Sequence, residues 1–348
     1  MGKKYLFFFV HPAKFHLFKN TINRLLNEGN KVDILIISKD VLEDLIKEEG
    51  WEYINLFPNG RKIKFLPSKI VAIFSALITV VKLFWYLLFK KRYFKFITDD
   101  ILVIPGYFFK IPTYLFLDND YQTLSFGKYL LPFASEIIAP ESTFIGKYEN
   151  KKISFKGNKA IAHLTPKYFT PNKHVVSGIE KKYFLLRIAE LNAVHDDGDN
   201  IGIVDESLEK IINLLSNYGQ ILISAERKLP AEYEKYRLKI NPKEIAHYMS
   251  FSSMVITDSG TMATEAAVLG VPNILLNNLA KKCGVHQELS YEFELQYFYD
   301  NFEDVYSKVN ELLKDNDLKE KWKLRKNIFL NYVDDFPELL LNELKKEI

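Results

Sequence analysis

Cysteine is nearly missing from this chain: Cys283 is the only one among 348 residues. That excludes an intrachain disulfide, a disulfide scaffold and a cysteine-based zinc site, and it fits a cytoplasmic protein. Net charge is almost missing as well. Lys+Arg number 47 against 44 Asp+Glu, a balance of +3, and such a mean charge does not mark a nucleic-acid binder. Low-complexity tracts and short repeats are absent. The apolar run from Tyr5 to Val10 stops at His11-Pro12. It is too short for a signal-peptide core and no small-residue cleavage site follows, so a first β-strand is expected there. What is abundant is apolar material: 48% hydrophobic residues, with 27 Phe and 20 Tyr. Disorder is thereby excluded as the main state, and at about 100–200 residues per domain the length suggests two domains.

The balanced charge hides a split. Residues 1–175 carry a net +11 and residues 176–348 a net −8. Asymmetry of this kind can mark two surfaces with different partners, or general lysine usage without functional meaning. Within the basic half, residues 70–89 hold one charge, Lys82, and Lys90, Lys91, Arg92 and Lys95 follow. The stretch is long enough to span a bilayer, but strand patterns on both sides would then split a domain across the membrane. A buried helix is one reading. A helix lying in the membrane surface is the other, because Phe84, Trp85, Tyr86 and Phe89 stand beside the basic run.

Strand patterns alternate with helical ones throughout. Strands are expected at 5–10, 32–37, 52–57, 101–104, 113–117 and 136–139, with helices at 15–27, 41–49 and 70–92. The pattern restarts with strands at 183–188, 220–224, 254–257 and 273–276. Helices are expected at 205–217, 242–250, 261–269, 302–315 and 318–333. This alternation implies parallel sheets covered on both faces. Pro166, Pro171 and Gly178 mark a linker at about 165–182. The expected organisation is an N-terminal Rossmann-like domain, 1–175, and a C-terminal one, 176–348, that ends in helices 302–348. Two such halves bind a ligand in the cleft between them, beyond the carboxyl ends of their strands.

The segment Asp258–Pro272 is the most informative. A strand ends at Thr257, Asp258-Ser259-Gly260-Thr261 makes a small polar turn, and a helix begins. Ser259 or Thr261 can cap that helix, and Gly260 lets a ligand approach the backbone. Helix N-termini favour anions. Glu265 lies one turn in, where a carboxylate can accept hydrogen bonds from a ribose diol. An ordinary capped strand–turn–helix would show the same pattern.

Further polar groups stand at predicted strand ends. His11 directly follows the first strand and His16 starts the helix beyond it. Either could act as a general base or contact a phosphate, or simply cap and pack the helix. Asp118 and Asp120 follow the strand 113–117. One of the pair could take a proton from an acceptor hydroxyl, or Asp-Asn-Asp could serve as turn chemistry. Arg187 ends the first strand of the second half, with His195 and the acidic Asp196, Asp197 and Asp199 in the loop beyond. Arg187 and His195 both suit a pyrophosphate. Ser224 and Glu226 end the next strand, and His247 sits on the helix before Asp258.

The segment Asp258–Pro272 resembles the nucleotide-sugar motif in the second domain of GT-B fold proteins, including the non-hydrolysing UDP-N-acetylglucosamine 2-epimerases. Taken with His11–Asn20, Leu186–Gly198 and Ser224–Pro230, it resembles the DUF354 family of GT-B-like proteins nearly end to end. The resemblance implies an α/β, GT-B-like fold: two Rossmann-type domains with parallel sheets facing across a cleft. His11, His16, Asp118 and Asp120 would then be catalytic. Arg187, His195, Ser224, Glu226, His247, Ser259, Gly260, Thr261 and Glu265 would bind substrate. Two positions depart from the family pattern: Lys14 stands where a histidine is usual, and 118–120 reads Asp-Asn-Asp.

The implied activity is a glycosyltransferase that uses a nucleotide-diphosphate sugar, of UDP type, in surface polysaccharide or glycoconjugate synthesis. Its partners would be that donor and a lipid-linked or glycan acceptor, with peripheral membrane contact through 70–92 at the inner membrane surface. The nucleotide sugar is a substrate; no cofactor is implied, no divalent metal is required by the motif, and no nucleic acid is involved. A UDP-N-acetylhexosamine 2-epimerase and a non-catalytic nucleotide-sugar-binding protein are the alternatives.

Overall fold

The computed structural model describes residues 2–37, 41–58, 68–90, 92–179, 181–189 and 202–347, without the side chains of 68–72. The chain divides into two compact units. Unit 1 comprises 1–163 and 334–348, and unit 2 comprises 164–333.

Unit 1 runs β1 (Lys4–Phe9), α1 (Pro12–Asn27), β2 (Lys31–Ile36), α2 (Leu42–Glu48), β3 (Ile54–Asn55), α3 (Ser68–Phe89), β4 (Lys95–Thr98), α4 (Val103–Phe108), β5 (Thr113–Phe116), β6 (Glu136–Pro140), β7 (Lys152–Phe155) and α5 (Ile161–Leu164). Its strands pair in parallel in the order β3-β2-β1-β4-β5-β6-β7. From Tyr5 to Phe9 every residue of β1 is buried, as a central strand covered on both faces requires.

Unit 2 runs β8 (Tyr183–Ile188), α6 (Asp205–Leu215), β9 (Gln220–Ala225), α7 (Ile245–Phe251), β10 (Val255–Thr257), α8 (Gly260–Leu269), β11 (Asn273–Leu276), α9 (Gly284–Gln287), β12 (Tyr297–Tyr299), α10 (Phe302–Leu313) and α11 (Leu318–Tyr332). Its sheet is also parallel, in the order β12-β11-β10-β8-β9. The final helix, α12 (Phe336–Lys345), belongs to unit 1.

Several expectations change here. The unit boundary falls at 163/164 rather than 175/176, and α12 leaves the C-terminal helices to join the first unit. Side-chain chemistry explains that return. Phe336 packs edge-on to Phe155 and Phe116, at ring-centroid distances of 4.8 and 5.9 Å. The buried Lys95 ammonium donates to the Glu343 and Lys346 carbonyls at 2.8 Å each and to the Tyr114 hydroxyl at 2.9 Å. These are the orphan carbonyls at the end of α12, and a cation there is favourable. Lys95 is therefore an interior group of β4 and not part of a surface basic run.

The strand expected at 101–104 is a turn leading into α4. The Thr98 hydroxyl oxygen accepts the Asp100 N–H (3.0 Å), and the Asp100 carboxylate accepts the Ile101 N–H (2.7 Å). These side-chain acceptors end the strand at Thr98, six residues earlier than the apolar run suggests.

Candidate functional site

In an open parallel sheet, the crevice for a ligand lies where the strand order reverses, at the carboxyl ends. The topology places that point between β1 and β4 in unit 1 and between β8 and β10 in unit 2.

At the unit 1 point, α1 starts directly after β1. His11 is its N-cap: Nδ1 accepts the Ala13 N–H at 3.2 Å, and Pro12 occupies the first helical turn, where its missing N–H costs nothing. His11 thus has the capping role that its position also allowed.

Asp118, just past β5, sits between two lysines. Lys159 Nζ approaches Oδ2 at 2.8 Å and Lys14 Nζ approaches Oδ1 at 3.4 Å. Burial alone would raise the carboxyl pKa. The two ammonium groups outweigh it and hold Asp118 far below the ordinary carboxylate range. Asp118 is a fixed anion at neutral pH and a poor proton acceptor.

Asp120 is buried and accepts the Phe144 N–H at 2.9 Å, so it braces a loop. His16 stacks on His163, with centroids 5.0 Å apart. Burial, with His16, Lys159 and Lys19 as further contributions, keeps the His163 imidazole neutral.

A further titratable group at this point is Asp99, directly after β4. Its Oδ1 is buried without a hydrogen-bond partner among the described residues. Burial is the main cause that pushes its pKa up to about 7; Asp100 and Asp118 add to the rise, and Lys14 opposes it. Such a carboxyl exchanges a proton near neutrality, as a general acid or base must.

At the unit 2 point the groups differ. Arg187, near the end of β8, donates from Nη1 to Ser224 Oγ at 2.9 Å and pairs through Nη2 with the Glu226 carboxylate. Its Nε is buried and unpaired among the described residues. Asp258 follows β10 and accepts the Ala189 N–H (2.7 Å) and the Ile203 N–H (3.2 Å). Burial raises its pKa against the pull of those donors and of Arg187.

The Thr257 hydroxyl oxygen accepts the Ser259 N–H at 2.9 Å, and Ser259 Oγ caps α8 from the Met262 N–H at 3.5 Å. Gly260 and Thr261 open that helix, and Glu265 is half-buried one turn in. At Gly260 a Cβ would stand 2.9 Å from His286 Nε2. The His286 ring is held through Nδ1 by the Gln296 amide (3.0 Å). His247 instead packs against Phe169, with tilted rings and centroids 4.8 Å apart, and accepts the Asn172 N–H at 3.0 Å, which fixes the segment entering unit 2.

The structure therefore brings Arg187, Ser224, Glu226, Ser259, Gly260 and Thr261 to neighbouring strand ends, with Glu265 on the helix they open. His11, Asp120 and His247 have structural partners. His195, and with it Asp196, Asp197 and Asp199, lies outside the described residues.

The sequence reading missed Asp99, Lys159, His163 and His286. Asp99 carried a readable signal, an acid directly after a strand, but that strand was expected six residues too late. Lys159, His163 and His286 come from segments whose approach depends on tertiary packing. Among the described residues no three His, Cys, Asp or Glu side chains are arranged to hold a metal ion. No helix of the described residues is long and apolar enough to cross a membrane.

Two Rossmann-type units with parallel sheets, each with a polar set at its switch point, define a GT-B-like protein. The chain belongs to the family described as Protein of unknown function (DUF354), whose model matches residues 11–344. No curated protein matches it by sequence. Among solved structures it is similar to S. aureus MnaA with UDP, at 16% identity and TM-score 0.71 over 99% of this chain and 96% of that one. It is similar to the UDP-GlcNAc 2-epimerase of Neisseria meningitidis bound to UDP-GlcNAc, at 15% identity and TM-score 0.70 over 99% and 100%. It is also similar to CalG4, the calicheamicin glycosyltransferase, at 12% identity and TM-score 0.61 over 99% and 98%.

Proposed function

We propose that this protein is a glycosyltransferase that takes a UDP-type sugar nucleotide as donor. The observation that carries the reading is the unit 2 strand–turn–helix: a capped ten-residue helix with glycine at its first position, beside Arg187 at the sheet's switch point. Free N–H groups and a guanidinium suit a diphosphate, and Glu265 suits a ribose diol. In transfer, the bond from the anomeric carbon to the diphosphate oxygen breaks, a bond to the acceptor oxygen forms, and the acceptor's proton passes to a base. Asp99 takes that role in this reading, with Asp118 held as an anion beside Lys14 and Lys159. The reading requires no divalent metal. Its acceptor is a glycan or a lipid-linked sugar of surface polysaccharide synthesis, met at the cytoplasmic face of the membrane.

A thermal-shift titration tests the donor site. UDP raises the melting temperature, and Glu265→Ala abolishes the shift. No shift with any nucleoside diphosphate overturns the reading.

One observation favours a second reading. The Lys14, Asp99, Asp118 and Lys159 cluster offers both a fixed charge and an exchangeable proton, as elimination and re-addition of UDP in a 2-epimerase would need. Incubation with UDP-GlcNAc alone separates the two: inversion at C2 without an acceptor supports the epimerase.

A further inference from the structure

Helix α3 carries large apolar residues on its exposed face as well as on its buried one. The residues facing its own unit include Ser75 and Thr79, at 4% and 0% exposure, followed by Leu83 and Leu87. The Thr79 hydroxyl is satisfied locally by the Ser75 carbonyl at 2.6 Å. The outward face carries Ile73, Phe74, Leu77, Val81, Trp85 and Phe89, and the last two are 60% and 77% exposed. Burial of large apolar groups is the main favourable term in folding, and a contiguous exposed patch of them marks an interaction site.

The face does not end with α3. Phe84 meets Phe108 and Phe109 at the end of α4, with centroids 5.8 and 5.5 Å apart, and Tyr107 and Phe108 are themselves exposed. Tyr107 also meets Phe133 (5.5 Å), which lines a hollow of about 610 Å³ together with Lys128 and Lys147. The two helices thus present one continuous apolar surface.

Its border is basic. Lys90 and Arg92 follow α3 and Lys110 follows α4; all three are exposed, and Arg92 and Lys110 hold left-handed backbone, φ 81° and 55°. Neither helix contains an Asp or Glu. Two acids, Asp33 and Glu52, share a flanking hollow with Lys90. Asp33 is already engaged by Lys4 at 2.9 Å and by the Tyr86 and Tyr93 hydroxyls.

We propose that the α3–α4 face docks unit 1 on an anionic phospholipid bilayer. Trp85, Phe89, Tyr107 and Phe108 enter the headgroup–acyl boundary, and Lys90, Arg92 and Lys110 pair with lipid phosphates. Charge complementarity selects this occupant, because aromatic groups ringed by cations match an anionic interface. The proposal deepens the membrane side of the reading above and has its own test.

The full chain is sedimented with vesicles of phosphatidylcholine alone and of phosphatidylcholine with 30% phosphatidylglycerol, at low and high salt. We expect binding to the anionic vesicles at least tenfold tighter, weakened by salt. Trp85→Glu with Phe89→Glu should lower it tenfold or more, and Lys90→Glu with Arg92→Glu and Lys110→Glu should remove the anionic preference. Circular dichroism and the UDP shift verify that each variant is folded, and the UDP shift separately reports on the nucleotide reading. Absence of wild-type binding overturns the proposal, as does binding that survives Trp85→Glu with Phe89→Glu. A dimer dispersed by those same two substitutions also overturns it, since the face would then be a self-interface.

Discussion

The two units share a sheet architecture but arm their switch points differently. Unit 1 gathers titratable side chains with strongly displaced pKa values: Asp99 raised, Asp118 depressed and His163 neutral. Unit 2 offers backbone N–H groups, one guanidinium and small residues at a helix start. The first set is suited to moving a proton, the second to holding an anion. Charge follows the same division less sharply than the linear chain suggests. With α12 counted where it folds, unit 1 has 26 basic and 20 acidic residues and unit 2 has 21 and 24, so +11 and −8 become +6 and −3. An acidic helix returned to the basic unit softens the asymmetry. The exposed positive charge of unit 1 is therefore better judged from where Lys90, Arg92 and Lys110 lie than from a total.

The contrast can be broken experimentally. The largest effect is expected from Asp99→Asn, which removes the exchangeable proton. Turnover should fall about a hundredfold or more, while the UDP shift stays as in wild type. The wild-type rate should rise with pH through about 7, as the Asp99 carboxyl loses its proton, and this limb should vanish in the variant. An equal loss of UDP binding would contradict the division of labour.

Asp118→Asn should cost about 3 kcal/mol of stability at neutral pH, because two lysines lose their counter-ion. The native carboxyl is depressed, so its contribution is present above the unfolded pKa of about 4 and is lost as pH falls below it. Denaturant titrations at pH 7 and pH 3 should therefore differ less in the variant than in wild type.

Lys95→Met should cost less, about 1–2 kcal/mol, for the carbonyls left uncapped at the end of α12. Burial lowers the native Lys95 pKa to about 8. The unfolded state then binds the extra proton between about pH 8 and 10.5, so this lysine's contribution favours the fold increasingly across that window. Melting curves at pH 8 and pH 10 should show that slope in wild type and not in the variant.

Gly260→Ala is the smallest in stability and the most specific. Its Cβ would press on His286 Nε2, and UDP affinity should drop about tenfold with folding nearly unchanged. Retained affinity would place the nucleotide elsewhere.

Much of this was legible in the sequence. Alternating strand and helix patterns specify parallel sheets, and in Asp258–Pro272 the glycines, the serine cap and the apolar run name their own local structure. Gly270 ends α8 in left-handed backbone, as a glycine after a helix should. Arg187, Ser224 and Glu226 were placed at strand ends and do meet there. Less legible was anything decided across sequence distance. Lys95 reads as one more residue of a basic run until α12 returns to cover it. Asp118 reads as a candidate base until Lys14 and Lys159 close on it from either side. His247 reads as a substrate-binding residue until Phe169 and Asn172 claim it.

The sequence by itself determined the periodicity, the switch from strand to helix and the chemistry available at each strand end, because these depend on neighbours a few residues apart. Only the tertiary structure decided which of those groups are charged, which are capped and which face of α3 is exposed. A pKa, a hydrogen-bond partner and a buried face are properties of what surrounds a residue, and residues far along the chain supply those surroundings.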